Sequence, residues 1–288
     1  MNGADIFSSL IVEEHAELVY SMGELLTAAG VDVAAIHTEA ASGQLEIALG
    51  TKLGVQSADQ MFTLKEAVKE IALKRGWQAT FMTKPTAEPG CSSGMHFSGS
   101  LWTGDKNAFH DAADSEKLSA VGRHWTAGLV KHAAALTAVL SPTVNCYRRL
   151  HGTFAPDRAD CGLENRNASF RFVASSPRTT YVENRLPSSA ANPYVVLAAT
   201  VAAGIDGLVN RLELSTETEE DGVELPSSLE EALSALEADS VLCDAFGEQF
   251  IRWFLTLKRD VEIVKVHKAK DEGLDELQAQ RELYFRFL

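Results

Sequence analysis

Cys91-Ser92-Ser93-Gly94-Met95-His96-Phe97-Ser98-Gly99-Ser100-Leu101-Trp102 is the stretch on which the fold and chemistry of this chain turn. It follows a short strand-like run, 77–84, and sets one metal-competent imidazole among small polar residues. As a strand over 95–102, its period of two sends His96, Ser98, Ser100 and Trp102 to one face and Phe97 and Leu101 to the other. An imidazole, two hydroxyls and an indole on one face suit neither a core nor bulk solvent. They suit a surface that receives a nucleotide and a metal ion. A structural histidine satisfied by its own hydrogen bonds is the other reading of the same residues.

Outward from this stretch, residues 6–29 and 62–75 show helical spacing and end at Gly30 and Gly76, candidate helix caps. Residues 116–140 predict one long alanine-rich helix stopped by Ser141-Pro142. Residues 192–212 predict a buried, nearly all-apolar helix with Pro193 in its first turn. Amphipathic helices are expected at 228–237 and 244–265, a final helix at 274–288, and strands at 44–49, 77–84, 95–102, 167–174 and 181–186. Helices and strands do not alternate in regular βαβ units, so the expected class is α+β.

A chain of 288 residues can bury a substantial core in one or two domains. Its net charge of −14 argues against the clustered lysines and arginines of a nucleic-acid binder. Glu217, Glu219, Glu220, Asp221 and Glu224 crowd one stretch, expected to be a solvated loop. The four cysteines, Cys91, Cys146, Cys161 and Cys243, have no CxxC spacing, which suits free thiols in a reducing, cytoplasmic setting. No signal segment and no apolar run of membrane-spanning length appears in the sequence.

Ala79-Thr80-Phe81-Met82-Thr83-Lys84-Pro85 precedes Gly94-Met95-His96, and further motifs follow in order. These are Tyr147-Arg148-Arg149-Leu150, Asn165-Arg166-Asn167-Ala168-Ser169-Phe170-Arg171, Glu183-Asn184-Arg185 and Ala191-Asn192-Pro193-Tyr194. The series resembles the glutamine synthetase family from about residue 11 to the C-terminus, and several motifs in one order are more specific than any one alone. The resemblance implies a single catalytic domain over 1–288, a curved, largely antiparallel sheet flanked by helices. Family members carry a small N-terminal β-grasp domain and an early strand with two metal-binding glutamates, for which this chain has no room.

The chemistry implied is an ATP-dependent ligation: glutamate is activated as γ-glutamyl phosphate and then joined to ammonia or an amine. By resemblance, Glu39 and Glu46 would bind one Mg²⁺ or Mn²⁺ ion, and His96 and Glu183 a second. Arg166 and Arg171 would act on the phosphates in catalysis, while Ser100, Trp102, Arg171 and Arg178 would line the nucleotide site. Arg178 stands where the family usually has a lysine. Arg149 and Arg185 would hold the carboxylates of glutamate. A homo-oligomer is implied, with exposed apolar surface where the N-terminal domain would dock.

Three departures stand against ordinary glutamine synthesis. Phe154 occupies the place of a lip glutamate thought to take a proton from bound ammonium, and a phenyl ring accepts none. Cys91-Ser92 replaces an Asn-Gly that orients the substrate, and Ser98 replaces a second histidine. These changes open an alternative expectation, a catalytically inactive structural or regulatory relative of the lengsin type.

Overall fold

The computed structural model describes residues 6–88, 92–150, 152, 154–214 and 222–288. The expected N-terminal helix is split by His15 into α1 (Ser9–Glu14) and α2 (Ala16–Ala28). Gly30 closes α2 at φ +87°, where Val31 N–H bonds the Leu26 carbonyl, so the chain reverses into a strand. That strand, β1 (Val33–Thr38), was not expected; it pairs antiparallel with β2 (Leu45–Leu49), with His37 opposite Glu46. α3 (Gln56–Lys74) begins earlier than its apolar spacing suggested and ends at Gly76. Leu26, Leu64, Val68 and Ile71 form the small core between α2, α3 and this hairpin.

Among the described residues, 77–84 pair in no ladder, contrary to expectation. Phe81 N–H bonds the Leu288 carbonyl instead, and Met82 is buried against Leu277 and Tyr284. The apolar alternation of this segment serves the C-terminal helix rather than a sheet. The expected strand 95–102 divides into β3 (Phe97–Gly99) and β4 (Trp102–Thr103), the latter in a hairpin with β5 (Lys106–Asn107). The main sheet combines β3 with β7 (Cys161–Leu163), β8 (Phe170–Ala174) and β9 (Thr180–Asn184) in the order β3-β9-β8-β7. All its pairings are antiparallel except β7 with β8.

Helices cover the inner face of that sheet. The predicted helix 116–140 begins only where Ser119 caps α4 (Ala120–Lys131), and His132 separates it from α5 (Ala133–Leu140). Asn192 and Pro193 start α6 (Pro193–Val209), the asparagine accepting from the amides of Tyr194 and Val195. α6 is buried on one face only, since Val201, Ile205 and Val209 are exposed. Its buried face meets α4 at glycines: a Cβ on Gly128 would lie 2.1 Å from the Ala203 carbonyl oxygen. Only bare backbone permits that approach. Phe109, Leu136, Phe170 and Leu186 fill the core beneath, closed by Leu229 and Leu233 of α7 (Leu229–Ala238).

Beyond α7, the expected helix 244–265 is interrupted by Gly247 at φ +81°. The result is α8 (Ser240–Phe246), α9 (Glu248–Thr256), a π-helical stretch Leu257–Ile263 and α10 (Val264–Asp271). α11 (Glu276–Tyr284) follows, and β6 (Arg158–Ala159) pairs with β10 (Val223–Glu224) at the periphery. Among the described residues no helix is long and apolar enough to cross a membrane.

His132 joins three helical segments. Its Nδ1 lies 2.5 Å from Asp239 at the start of α8, and its Nε2 lies 3.0 Å from Asp206 of α6. Burial alone would lower its pKa, but the two carboxylate bonds outweigh it and raise the imidazole above 6.5. Burial would likewise raise both carboxyls, yet the bonds from His132, and for Asp206 also Lys131, hold them below 3.8. The cluster's contribution is therefore complete between about pH 3.8 and 6.5. It is lost upward as pH rises through the raised imidazole pKa, and downward as pH falls through the depressed carboxyl pKa values. His132→Ala, which takes the imidazole from Asp239 and leaves Asp206 to Lys131, is expected to cost about 2 kcal/mol near pH 6 and less at pH 9. Denaturant unfolding at the two pH values measures the difference.

Candidate active site

Strand register builds the recess. Ser98 of β3 and Arg171 of β8 both lie directly opposite Glu183 of β9, so three side chains share one face of the sheet. Residues two apart on a strand share that face too, which adds His96 and Arg185. The Glu183 carboxylate collects them: Oε1 lies 3.3 Å from His96 Nδ1, and Oε2 lies 3.3 Å from Arg171 Nη1 and 3.7 Å from Arg185 Nη1. Burial would push this carboxyl up, but the His96 bond and the three cationic partners hold it at about 2. Burial lowers His96, with Arg149 and Arg185 adding to the effect and Glu183 opposing it.

Arg149 lies behind this row and is 3 % exposed. Its Nη2 donates to the Arg185 carbonyl at 2.7 Å, its Nη1 donates to the Leu186 carbonyl, and Nη2 also stands 3.4 Å from His96 Nε2. Burial, with Arg185 beside it, pushes the guanidinium down to about 10. Because a guanidinium only donates, His96 Nε2 must accept, which leaves the ring proton on Nδ1 to be donated to Glu183. Gly94 makes room for this contact, since a Cβ there would lie 3.0 Å from Arg149 Nη2 and 3.3 Å from His96 Nε2. The segment after Arg185 is held by Lys65 of α3, whose buried ammonium donates to the Ser189 and Ala191 carbonyls. Burial brings that ammonium down to about 8.

The two other expected metal ligands lie on the β1–β2 hairpin. Glu39 N–H bonds the Gln44 carbonyl and Glu46 faces His37, so the ladder sets both glutamates diagonally on one face. Glu46 is exposed and 3.5 Å from His37, and Glu39 accepts from the Ala40 amide. Gln44 Nε2 donates to Ser93 Oγ, tying this hairpin to the segment that enters His96. Among the described residues no three His, Cys, Asp or Glu side chains converge as a metal cluster. The four expected ligands form two pairs. Carboxylate and imidazole donors suit a hard cation, and Mg²⁺ commonly takes one or two carboxylates and completes its shell with phosphates and water. The donor set fits such an ion on that basis.

Ser100 and Trp102 leave the end of β3, with Trp102 Nε1 donating to Ser100 Oγ at 2.9 Å. Arg178 is exposed in the turn between β8 and β9, at the same end of the sheet because Gly99 pairs with Val182. Arg166 is exposed on the β7–β8 connection, and its charge is felt at Arg185, whose pKa burial chiefly lowers. Phe154 is 71 % exposed at φ +60°, and its carbonyl accepts from Arg185 Nη2 at 3.3 Å. Cys91, His151 and Thr153 lie outside the described residues, as does the acidic stretch 217–221. Cys146 is buried against Thr83, Thr143 and Ser188, where it has no access to a substrate. Sequence reasoning missed Glu164, which joins Glu183 on the Arg171 guanidinium. Its signal was the alternation of Gly162 and Glu164 outside a strand judged to begin only at 167.

The family model described as glutamine synthetase, catalytic domain, matches residues 2–273. Human lengsin is 39% identical over 247 residues, covering 80% of this chain and 47% of lengsin. Glutamine synthetase of Mycobacterium tuberculosis is 40% identical over 249 residues, covering 80% of this chain and 55% of that enzyme. The chain thus spans about half the length of these curated relatives. A solved GmaS/ADP complex superposes with a TM-score of 0.83 at 28% identity, over 98% of this chain and 67% of that one.

Glu183→Gln would remove the charge that balances Arg171 and Arg185 while keeping the side chain's shape. A loss of about 2–3 kcal/mol in unfolding free energy is expected. Glu46→Gln, on the exposed hairpin, should change it by less than about 0.5 kcal/mol. Chemical denaturation of both variants beside the wild type tests the ranking.

Proposed function

The chain belongs to the glutamine synthetase family, and on that footing we propose that it works as an ATP-dependent ligase joining a glutamate-like acid to an amine. The observation that carries the reading is the shared sheet face on which Glu183 gathers His96, Arg171 and Arg185, all at positions matching the family's motifs. In the proposed reaction the γ-phosphoryl group passes from ATP to an oxygen of the side-chain carboxylate, giving an acyl phosphate and ADP. The amine nitrogen then attacks the acyl carbon, phosphate leaves, and the nitrogen gives up its extra proton.

Arg171 and Arg166 would neutralise charge on the transferring phosphoryl group, with Arg178, Ser100 and Trp102 toward the nucleotide. Arg185 would meet the acid substrate. Arg149, spent on backbone carbonyls, would hold Arg185 and His96 in place rather than bind the acid directly. His96 with Glu183, and Glu39 with Glu46, would hold Mg²⁺ or Mn²⁺, whose contribution is to neutralise phosphate charge. Phe154 offers no base at the lip, so the amine would arrive as its free base or lose its proton to water. A neutral aromatic lip suits an amine carrying an apolar substituent better than ammonium. A homo-oligomer is proposed with this activity.

A second reading has its own support. Among the described residues each metal pair stops at two donors, and Arg171 is already occupied by two carboxylates. Both features fit a non-catalytic relative that keeps the scaffold. Phosphate release with ATP, Mg²⁺, glutamate and a panel of amines separates the readings. The ligase should turn over, favour amines with apolar substituents, and gain about 2.7 kcal/mol of stability at MgATP a hundredfold above its Kd. A scaffold shows neither turnover nor stabilisation. Phe154→Glu should shift the ligase toward ammonium, by about tenfold or more in the ratio of kcat/KM values.

A further inference from the structure

Arg171 is held from two sides. Glu183 reaches it from β9, and Glu164, just past the end of β7, makes the closest contact its guanidinium has. The two carboxylates differ in freedom: Glu183 is 12 % exposed in its side chain and also bound by Arg185 and His96, whereas Glu164 is 49 % exposed. Glu164 adopts φ +53°, a backbone that non-glycine residues other than asparagine and aspartate rarely take. Its amide is fixed on the Phe172 carbonyl, which aims the side chain back at Arg171. Residues 164–169 alone connect the parallel neighbours β7 and β8, a shorter return than the dozen or so residues such a crossover normally takes. The geometry therefore delivers a carboxylate to the guanidinium expected to face phosphate. Arg171 Nε, buried and without a partner among the described residues, is left over.

We propose that Glu164 is a built-in competitor for polyphosphate: it fills Arg171 until a phosphate oxygen displaces it, and so sets how tightly the nucleotide's phosphate end is held. The inference rests on reading Arg171 as a phosphate-binding residue. A phosphate group and Glu164 cannot share one guanidinium edge without like-charge repulsion, and Glu164 is the partner with solvent to turn into. Glu183 is not, since leaving would strand Arg185 and His96.

Calorimetric titration with magnesium-free inorganic tripolyphosphate and with ADP tests the inference on wild type, Glu164→Gln, Glu164→Asn and Arg171→Met. Asparagine tolerates the left-handed backbone, so it separates loss of charge from strain. Both Glu164 variants should bind tripolyphosphate about fivefold more tightly than wild type. That gap should shrink at high salt, which a purely structural effect would not do. Affinity unchanged or weakened in both variants, with binding still lost in Arg171→Met, overturns the competitor role and leaves the phosphate reading of Arg171 standing. Wild-type binding that is absent, or indifferent to Arg171→Met, overturns that reading and this inference together.

Discussion

One carboxylate holds the recess together. Glu183 is buried deeply enough that its charge would be costly alone, and one imidazole and two guanidinium groups converge on it from the segment entering β3, from β8 and from the end of its own strand. The dependence runs both ways. Arg185, 8 % exposed in its side chain, would be costly to bury without the shared anion, whereas Arg171, 17 % exposed, has Glu164 as a second carboxylate. Strand pairing makes the convergence possible, because the antiparallel register sets Ser98, Glu183 and Arg171 in one row across three strands. Arg149 then locks the row from behind by bonding the backbone at Arg185 and Leu186.

The helical layer supplies the rigidity that this arrangement needs. α4 and α6 approach at Gly128, Gly204 and Gly207, where any side chain would collide with backbone or with the Trp125 ring. On the opposite side, the 3₁₀ turn Val144–Arg148, which leads into Arg149, is clasped by the C-terminal region. Asn145 donates to Gln280 and to the Lys84 carbonyl, and Val144 N–H donates to Glu262, which Lys258 pairs at 2.5 Å. Residues far apart in sequence thus converge on one short turn. The recess inherits its precision from backbone contacts on several sides.

Much of this was legible in the sequence, and the exceptions have physical causes. Order of motifs located His96, Arg171, Glu183 and Arg185, because each motif sits on a short strand whose alternation shows. Glycines at 30 and 76 marked helix ends, since only they tolerate the required φ. The helix 116–140 looked continuous because His132 is a tolerable helix residue. What interrupts it is an ion cluster with Asp206 and Asp239, residues 74 and 107 positions away. The run 77–84 alternates like a strand, yet its amides are taken one by one by Ala72, Thr80, Leu288 and Asn145 rather than by a sheet edge. Val33–Thr38 escaped notice because two alanines and a histidine dilute its β-branched signal. Glu164 was missed for a related reason: its alternation with Gly162 falls before the strand expected from 167, on a parallel neighbour only three residues long.

The tight return from β7 to β8 also bears on timing. With its amide fixed and no slack in residues 164–169, the backbone at Glu164 has nowhere to travel, while the half-exposed side chain still has torsions to turn. Any change of partner at that guanidinium is then a rotamer hop, which exposed side chains make on the picosecond-to-nanosecond scale. Hinged lids and mobile loops respond in microseconds or slower. Entry of a ligand at this edge of the sheet would keep pace with diffusion and would not wait for the fold to open.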